Sequence, residues 1–160
     1  MKATLSVLLI LVSLTGFIKK ESENYEQITF DYFVSDILKS DFQDVTSFEF
    51  KGRTEESFSS LGSYKFCLRP EEKLGPIIQE TTKKAQKRPA REIEFKNTDG
   101  LKINDFQKKA TGYRLFVYPS LHVADNYYVF LLFQKPKDQP VKYIVELTPE
   151  GDVSRSCKID

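Results

Sequence analysis

Residues 127–134 constrain this chain more than any other stretch. Tyr127, Val129, Leu131 and Phe133 project to one side of an extended backbone and Tyr128, Phe130 and Leu132 to the other, because successive side chains of a strand alternate between faces. Apolar residues on both sides mark a central strand, since a strand with one wetted face carries polar residues on that face.

The flanking sequence supplies its partners. Residues 113–118, 141–147 and 153–157 read as strands separated by turn chemistry. Pro149-Glu150-Gly151-Asp152 closes the last hairpin, with Gly151 providing the positive φ that such a turn needs. Upstream, residues 45–51 form a strand carrying Phe48 and Phe50 and ended by Gly52, and residues 64–68 form another. The polar residues 53–63 between them make a long loop or a flexible edge. Ile93 and Phe95 alternate with Glu92 and Glu94, and Asp99-Gly100 is a turn signal leading into Leu101 and Ile103, which predicts a β-hairpin.

Two segments have helical spacing instead. Over residues 25–38, Ile28, Tyr32, Phe33 and Ile37 form one apolar stripe and Phe30, Val34 and Leu38 a second, leaving only Gln27, Asp31 and Ser35 as a narrow polar stripe. Such a helix needs cover over most of its circumference, which a curved sheet provides. Residues 76–87 predict a short surface helix with a thin stripe of Ile77, Thr81 and Ala85, opened by Pro76 and stopped by Pro89.

No internal repeat or low-complexity linker divides the chain, so residues 19–160 read as a single α+β domain: an N-terminal helix packed on a curved antiparallel β-sheet, with the second helix on the surface. The order of elements resembles that of cystatin-like and NTF2-like folds, in which a curved sheet grips a long helix. The resemblance is one of element order, carries no family motif, and implies a cone.

Ahead of the domain, Lys2 precedes an unbroken run of apolar and small residues, 3–18, after which Lys19, Lys20 and Glu21 restore polarity. Residues 1–18 therefore read as a signal peptide, because the run falls just short of the ~17 to 25 apolar residues of a spanning helix. An uncleaved anchor is the other reading: Leu14 is bulky for a cleavage site near Gly16, and Lys19 with Lys20 suits a stop flank. Either way the expectation is an exported protein, periplasmic, secreted or at the cell surface. In such a compartment Cys67 and Cys157 invite a disulfide. The strand pattern gives no preference between that and two separate cysteines, because Cys67 falls on the opposite strand face from Tyr64, Phe66 and Leu68.

Charge excludes one class of partner. With 24 basic residues against 23 acidic, no global field draws the protein to nucleic acid, and membrane contact is expected only through an uncleaved N-terminal segment. The basic cluster Lys83, Lys84, Lys87, Arg88 and Arg91 is the one local exception. Cations in the last turn of a helix, with Glu80 placed four residues before Lys84, are also what the helix dipole favours.

Chemistry-bearing motifs are sparse. His122 is the single histidine, and with Asp31 it is the candidate for acid–base work. One histidine and two distant cysteines cannot form a zinc site, and no glycine-rich phosphate loop or dinucleotide fingerprint implies a cofactor. Tyr113, Tyr118, Tyr127 and Tyr128 crowd into the C-terminal sheet, where they are candidates to line a pocket for a small apolar or glycan ligand. Sheet packing accounts for them equally well. The expected function is an exported, non-enzymatic binding or interaction module for a ligand or protein partner. The alternatives are a small cone-shaped pocket enzyme of hydrolase or isomerase type, using His122, Asp31 or tyrosine hydroxyls, and an envelope-associated structural protein.

Overall fold

The computed structural model describes residues 23–57 and 87–159. The N-terminal run, the strand at 64–68, most of the helix at 76–87, Cys67, Lys83 and Lys84 lie outside the described residues. Within them the chain is α+β, one helical rod on a mixed seven-stranded sheet.

The rod comprises α1 (Tyr25–Tyr32), a π turn (Phe33–Ile37) and α2 (Leu38–Asp41). Asn24 caps it, its Oδ1 accepting from the Gln27 backbone N–H at 3.1 Å. The π turn follows from the sequence. Tyr25, Thr29, Phe33 and Ile37 are all buried at steps of four residues, and on a regular α-helix each such step drifts by about 40°. A wider turn at Phe33–Ile37 winds the stripe back toward the sheet.

The sheet consists of β1 (Ser47–Glu49), β2 (Lys102–Asn104), β3 (Tyr113–Val117), β4 (Leu121–Val123), β5 (Asn126–Gln134), β6 (Val141–Leu147) and β7 (Val153–Ile159). Its order is β2-β1-β3-β5-β6-β7, with β4 also pairing β5. β5 is central, as its two apolar faces require. Val129, Leu131 and Phe133 are fully buried against the helix, and Tyr128 and Phe130 are buried on the other face with Leu121, Ile144 and Ile159.

Two expectations need correction. The sheet is not antiparallel throughout, because β1 runs parallel to both β2 and β3. Alternation of side chains carries no information on direction, and the long connection after β1 allows the chain to return to the same end of the sheet. The hairpin over Asp99-Gly100 also fails to form as a strand pair. The turn itself is present, with Gly100 at φ +89° and Thr98 bridged to Leu101. Residues 91–94, however, are taken by other partners: Thr54 N–H donates to Arg91 O, Ile93 N–H to Gly52 O, and the Gln27 amide exchanges two hydrogen bonds with the Glu94 backbone. Residues 102–104 are thereby left to pair with β1.

The turn between β6 and β7 docks on the start of the helix. Tyr25 Oη donates to Pro149 O at 2.9 Å, and a Cβ placed on Gly151, whose φ is +93°, would lie 2.8 Å from Ile28 Cδ1. Gly151→Ala is expected to destabilise by about 1 to 3 kcal/mol through backbone strain and displacement of Ile28. A fall in the urea midpoint at constant slope would register it.

Candidate functional site

At the other end of the rod the packing opens. α2 ends where Phe42 leaves helical geometry (φ −138°, ψ 49°), and Val45 N–H then donates to Phe42 O to turn the chain toward β1. Facing this corner stands the turn Thr98–Leu101, closed by reciprocal backbone bonds of 3.1 and 3.2 Å and tied to the corner where Lys102 N–H donates to Thr46 O. Between them lies a groove of about 590 Å³, within the roughly 300 to 1,000 Å³ of small-molecule sites.

Its apolar walls are Val34, Leu38, Phe42, Val45 and Leu101, of which all but Leu38 remain partly exposed. The polar lining divides by element: Ser35, Lys39 and Gln43 on the helix side, Thr98 and Asp99 on the turn side. Phe42 forms the floor and is backed by the sheet, its ring edge-on to Phe133 at 4.8 Å and to Tyr113 at 6.0 Å. Lys39, Gln43 and Asp99 make no side-chain hydrogen bond or ion pair among the described residues.

The candidate tyrosines do not share a surface. Tyr113 and Tyr127 face the helix, whereas Tyr118 and Tyr128 belong to the opposite cluster. Tyr113 stacks on Phe133 at 4.7 Å, directly behind the groove floor. Tyr127 is sandwiched between Tyr25 at 3.7 Å and His122 at 4.6 Å. Tyr118 meets Phe130 edge-on at 5.3 Å. Burial and the nearby Glu146 carboxylate push the Tyr128 hydroxyl up to about 12, a group poorly suited to giving up its proton near neutrality.

His122 lies exposed on β4, and Asp31 lies on the outer side of the rod, where partial burial pushes its carboxyl up against the pull of the Gln27 amide. Neither lines the groove, and no hydrogen bond joins them among the described residues. Cys157 is disulfide-bonded on β7. Of the basic cluster, Arg88 donates to Ser120 O at 3.1 Å and Arg91 reaches Glu26 at 3.3 Å, so both are tied into the fold.

Two buried carboxylates escape sequence reading. Glu26 is 1% exposed and accepts the Ser120 N–H at 2.7 Å. Its position four residues before Phe30 and seven before Phe33, on the buried stripe, is the signal that marks it. Glu49 faces away from the helix and accepts from Arg114 Nε at 2.7 Å, its register neighbour on β3, and from the Gln107 N–H at 3.1 Å. Burial alone would raise its carboxyl, but Arg114 and the backbone N–H groups outweigh burial and hold it below the usual range. Asp41 is held low by the Tyr143 hydroxyl at 2.6 Å, by Ser40 and by Lys158. Both carboxylates thus stabilise the fold above their unfolded values near 4, and that contribution is lost as pH falls through their depressed folded values. The thermal midpoint is expected to drop below about pH 4, and Glu49→Gln should flatten part of that drop; an unchanged pH profile would refute the role of Glu49. Asp31 acts with the opposite sign.

Among the described residues no three His, Cys, Asp or Glu side chains gather as a metal-ligand set, and no helix is long and apolar enough to cross a membrane. No protein-family model matches the chain, and neither a curated protein nor a solved structure is significantly similar to it.

Proposed function

We propose that the protein is an exported, non-enzymatic binding module that receives its ligand or partner in the groove between the end of the helical rod and the Thr98–Leu101 turn. The observation that carries this reading is the contrast between a filled helix–sheet interface, in which Phe33, Val129 and Leu131 are fully buried, and aliphatic walls left open at Val34, Val45 and Leu101. Export rests on the apolar run at residues 3–18 behind Lys2. The cystatin-like or NTF2-like cone rests on element order and on the helix lying against one sheet face. The parallel β2-β1-β3 edge is where the architecture departs from such a meander.

A pocket enzyme has less support. Glu26 and Glu49 are committed to fixed donors, and His122 and Asp31 stand apart from the groove. The disulfide of Cys157 has Cys67 as its partner in this reading, since the chain holds two cysteines.

Three measurements test these points. An apolar dye, 8-anilinonaphthalene-1-sulfonate, is expected to bind the folded full chain, and Leu101→Glu should weaken it at least about tenfold; dye binding insensitive to Leu101 would remove the groove from consideration. The intact mass of protein expressed in an exporting host should show loss of the N-terminal run, whereas a retained run would favour a tethered envelope component. A non-reducing digest should yield the Cys67 and Cys157 peptides as one species.

A further inference from the structure

We infer that the exposed pair Lys108-Lys109 is a processing site for an endoprotease with an acidic primary pocket, and that cutting there yields a two-chain protein with its fold intact. The inference is independent of the groove, and export is what brings the chain to such a protease. Residues 105–112 connect β2 to β3 without regular structure, and the backbone bends at Lys108 and Lys109. Both lysines are exposed, and neither makes a hydrogen bond or ion pair among the described residues.

One carboxylate anchors the loop on both sides of this pair. Glu49, buried on β1, accepts the Gln107 N–H at 3.1 Å and the Thr111 N–H, while Arg114 donates to Gln107 O. Phe106 packs edge-on against Phe116 at 5.3 Å. Lys108, Lys109 and Ala110 are thus held out as a short crest, the kind of exposed loop tip where proteolysis concentrates. The other arginine- and lysine-rich stretch is closed by comparison. In Arg88-Pro89-Ala90-Arg91, the Arg88 N–H donates to Glu56 O and its guanidinium to Ser120 O. Arg91 has both its backbone N–H and its carbonyl bonded to Thr54, and its side chain reaches Glu26.

A lysine ammonium suits a primary pocket that carries a carboxylate. Hydrolysis adds water across the bond that follows the lysine: the hydroxyl goes to the lysine carbonyl carbon, which becomes a carboxylate, and the proton to the next residue's nitrogen, which becomes an amine. No strand is severed. Phe48 still pairs with Tyr113 and Glu49 with Arg114, and the Phe33 ring still meets Phe133 and Tyr143 across the cut. A Cys67–Cys157 bridge adds a covalent link between the two chains. A protease takes its substrate extended, so the crest must first lift from its anchors, and this local opening sets the rate.

The test is limited digestion of the native full chain with a trace of trypsin, followed by mass spectrometry of the products over time. Among the lysines and arginines of the described residues, the crest is expected to be cut first, at least about tenfold ahead of Arg88 and Arg91. The nicked protein should keep its circular dichroism and elute in native buffer as one species, with the pieces parting only after denaturation and reduction. Urea well below the unfolding midpoint should speed cutting at Arg88 and Arg91 more steeply than at the crest, because local opening exposes little surface. A first cut among these residues elsewhere, as at Lys96 or Lys137, would overturn the site. Pieces that part in native buffer would overturn the two-chain product, and an equal urea dependence at all sites would overturn local opening. None of these outcomes bears on dye binding at Leu101, which tests the groove separately.

Discussion

Phe33→Ala is expected to destabilise the protein by about 3 to 5 kcal/mol, the range for removing a fully buried aromatic ring. Phe33 opens the π turn and has no exposed surface. Its ring meets Phe133 at 5.1 Å, Phe48 edge-on at 6.2 Å and Tyr143 at 6.4 Å, so one side chain joins the helix to β1, β5 and β6. The neighbouring rings are held by strand pairing and cannot collapse into the space, which places the cost high in that range. Val34→Ala, one residue further on and partly exposed in the groove wall, should cost less than about 1.5 kcal/mol. Urea unfolding of the two variants measures both, and a Phe33 variant no weaker than the Val34 variant would show that the π turn does not place the ring where the core needs it.

Glu26→Ala should cost about 2 to 4 kcal/mol, and Arg91→Ala less, even though the two residues form one ion pair. The asymmetry follows from exposure. Glu26 is 1% exposed along its side chain and Arg91 is 49% exposed. Removing Arg91 leaves the carboxylate bonded to the Ser120 N–H but without its counter-charge, at a cost of about 1 to 2 kcal/mol that solvent around the half-exposed guanidinium position keeps below that of a fully buried pair. Removing Glu26 leaves the buried Ser120 N–H without its acceptor, and the desolvation of that group is not recovered. Glu26→Gln retains an acceptor and should fall between the two. Equal losses for Glu26→Ala and Arg91→Ala would mean that the ion pair, not the backbone bond, is what the helix contributes there.

The elements legible in the sequence are those defined by local alternation. β5, β6 and β7 and the turn at Gly151 are read within a residue or two at most boundaries, because an apolar face and a glycine at positive φ are decided by neighbours in sequence. The rod is read nearly to its end for the same reason. What alternation cannot express is strand direction, and it was the parallel placement of β1 that diverted residues 102–104 from a hairpin into the sheet. Nor can it express Gln27 using its amide like a short strand to occupy Glu94. The candidate site was the least legible part. Its walls come from residues 34–45 and 98–101, each of which looks like ordinary core or turn in isolation, and only the parallel β1–β2 pairing brings them face to face. The tyrosines were conspicuous in sequence, yet the pleat assigns alternate ones to opposite faces of the sheet.

The position of β1 also bears on how the chain can assemble in time. β3 to β7 pair in near-sequential order, so that meander can zip up from local contacts. Ser47 must wait for Lys102, and Phe48 for Tyr113. A chain that emerges from its N-terminus therefore delivers the helix and β1 long before any strand exists for them to join, with Phe30, Phe33, Phe48 and Phe50 bare in the interval. Closing so long a loop before any contact rewards it is a slow step. The late event in folding is thus expected to be the capture of the first-made segment by the last-made sheet, and the groove, which needs both, is completed only then.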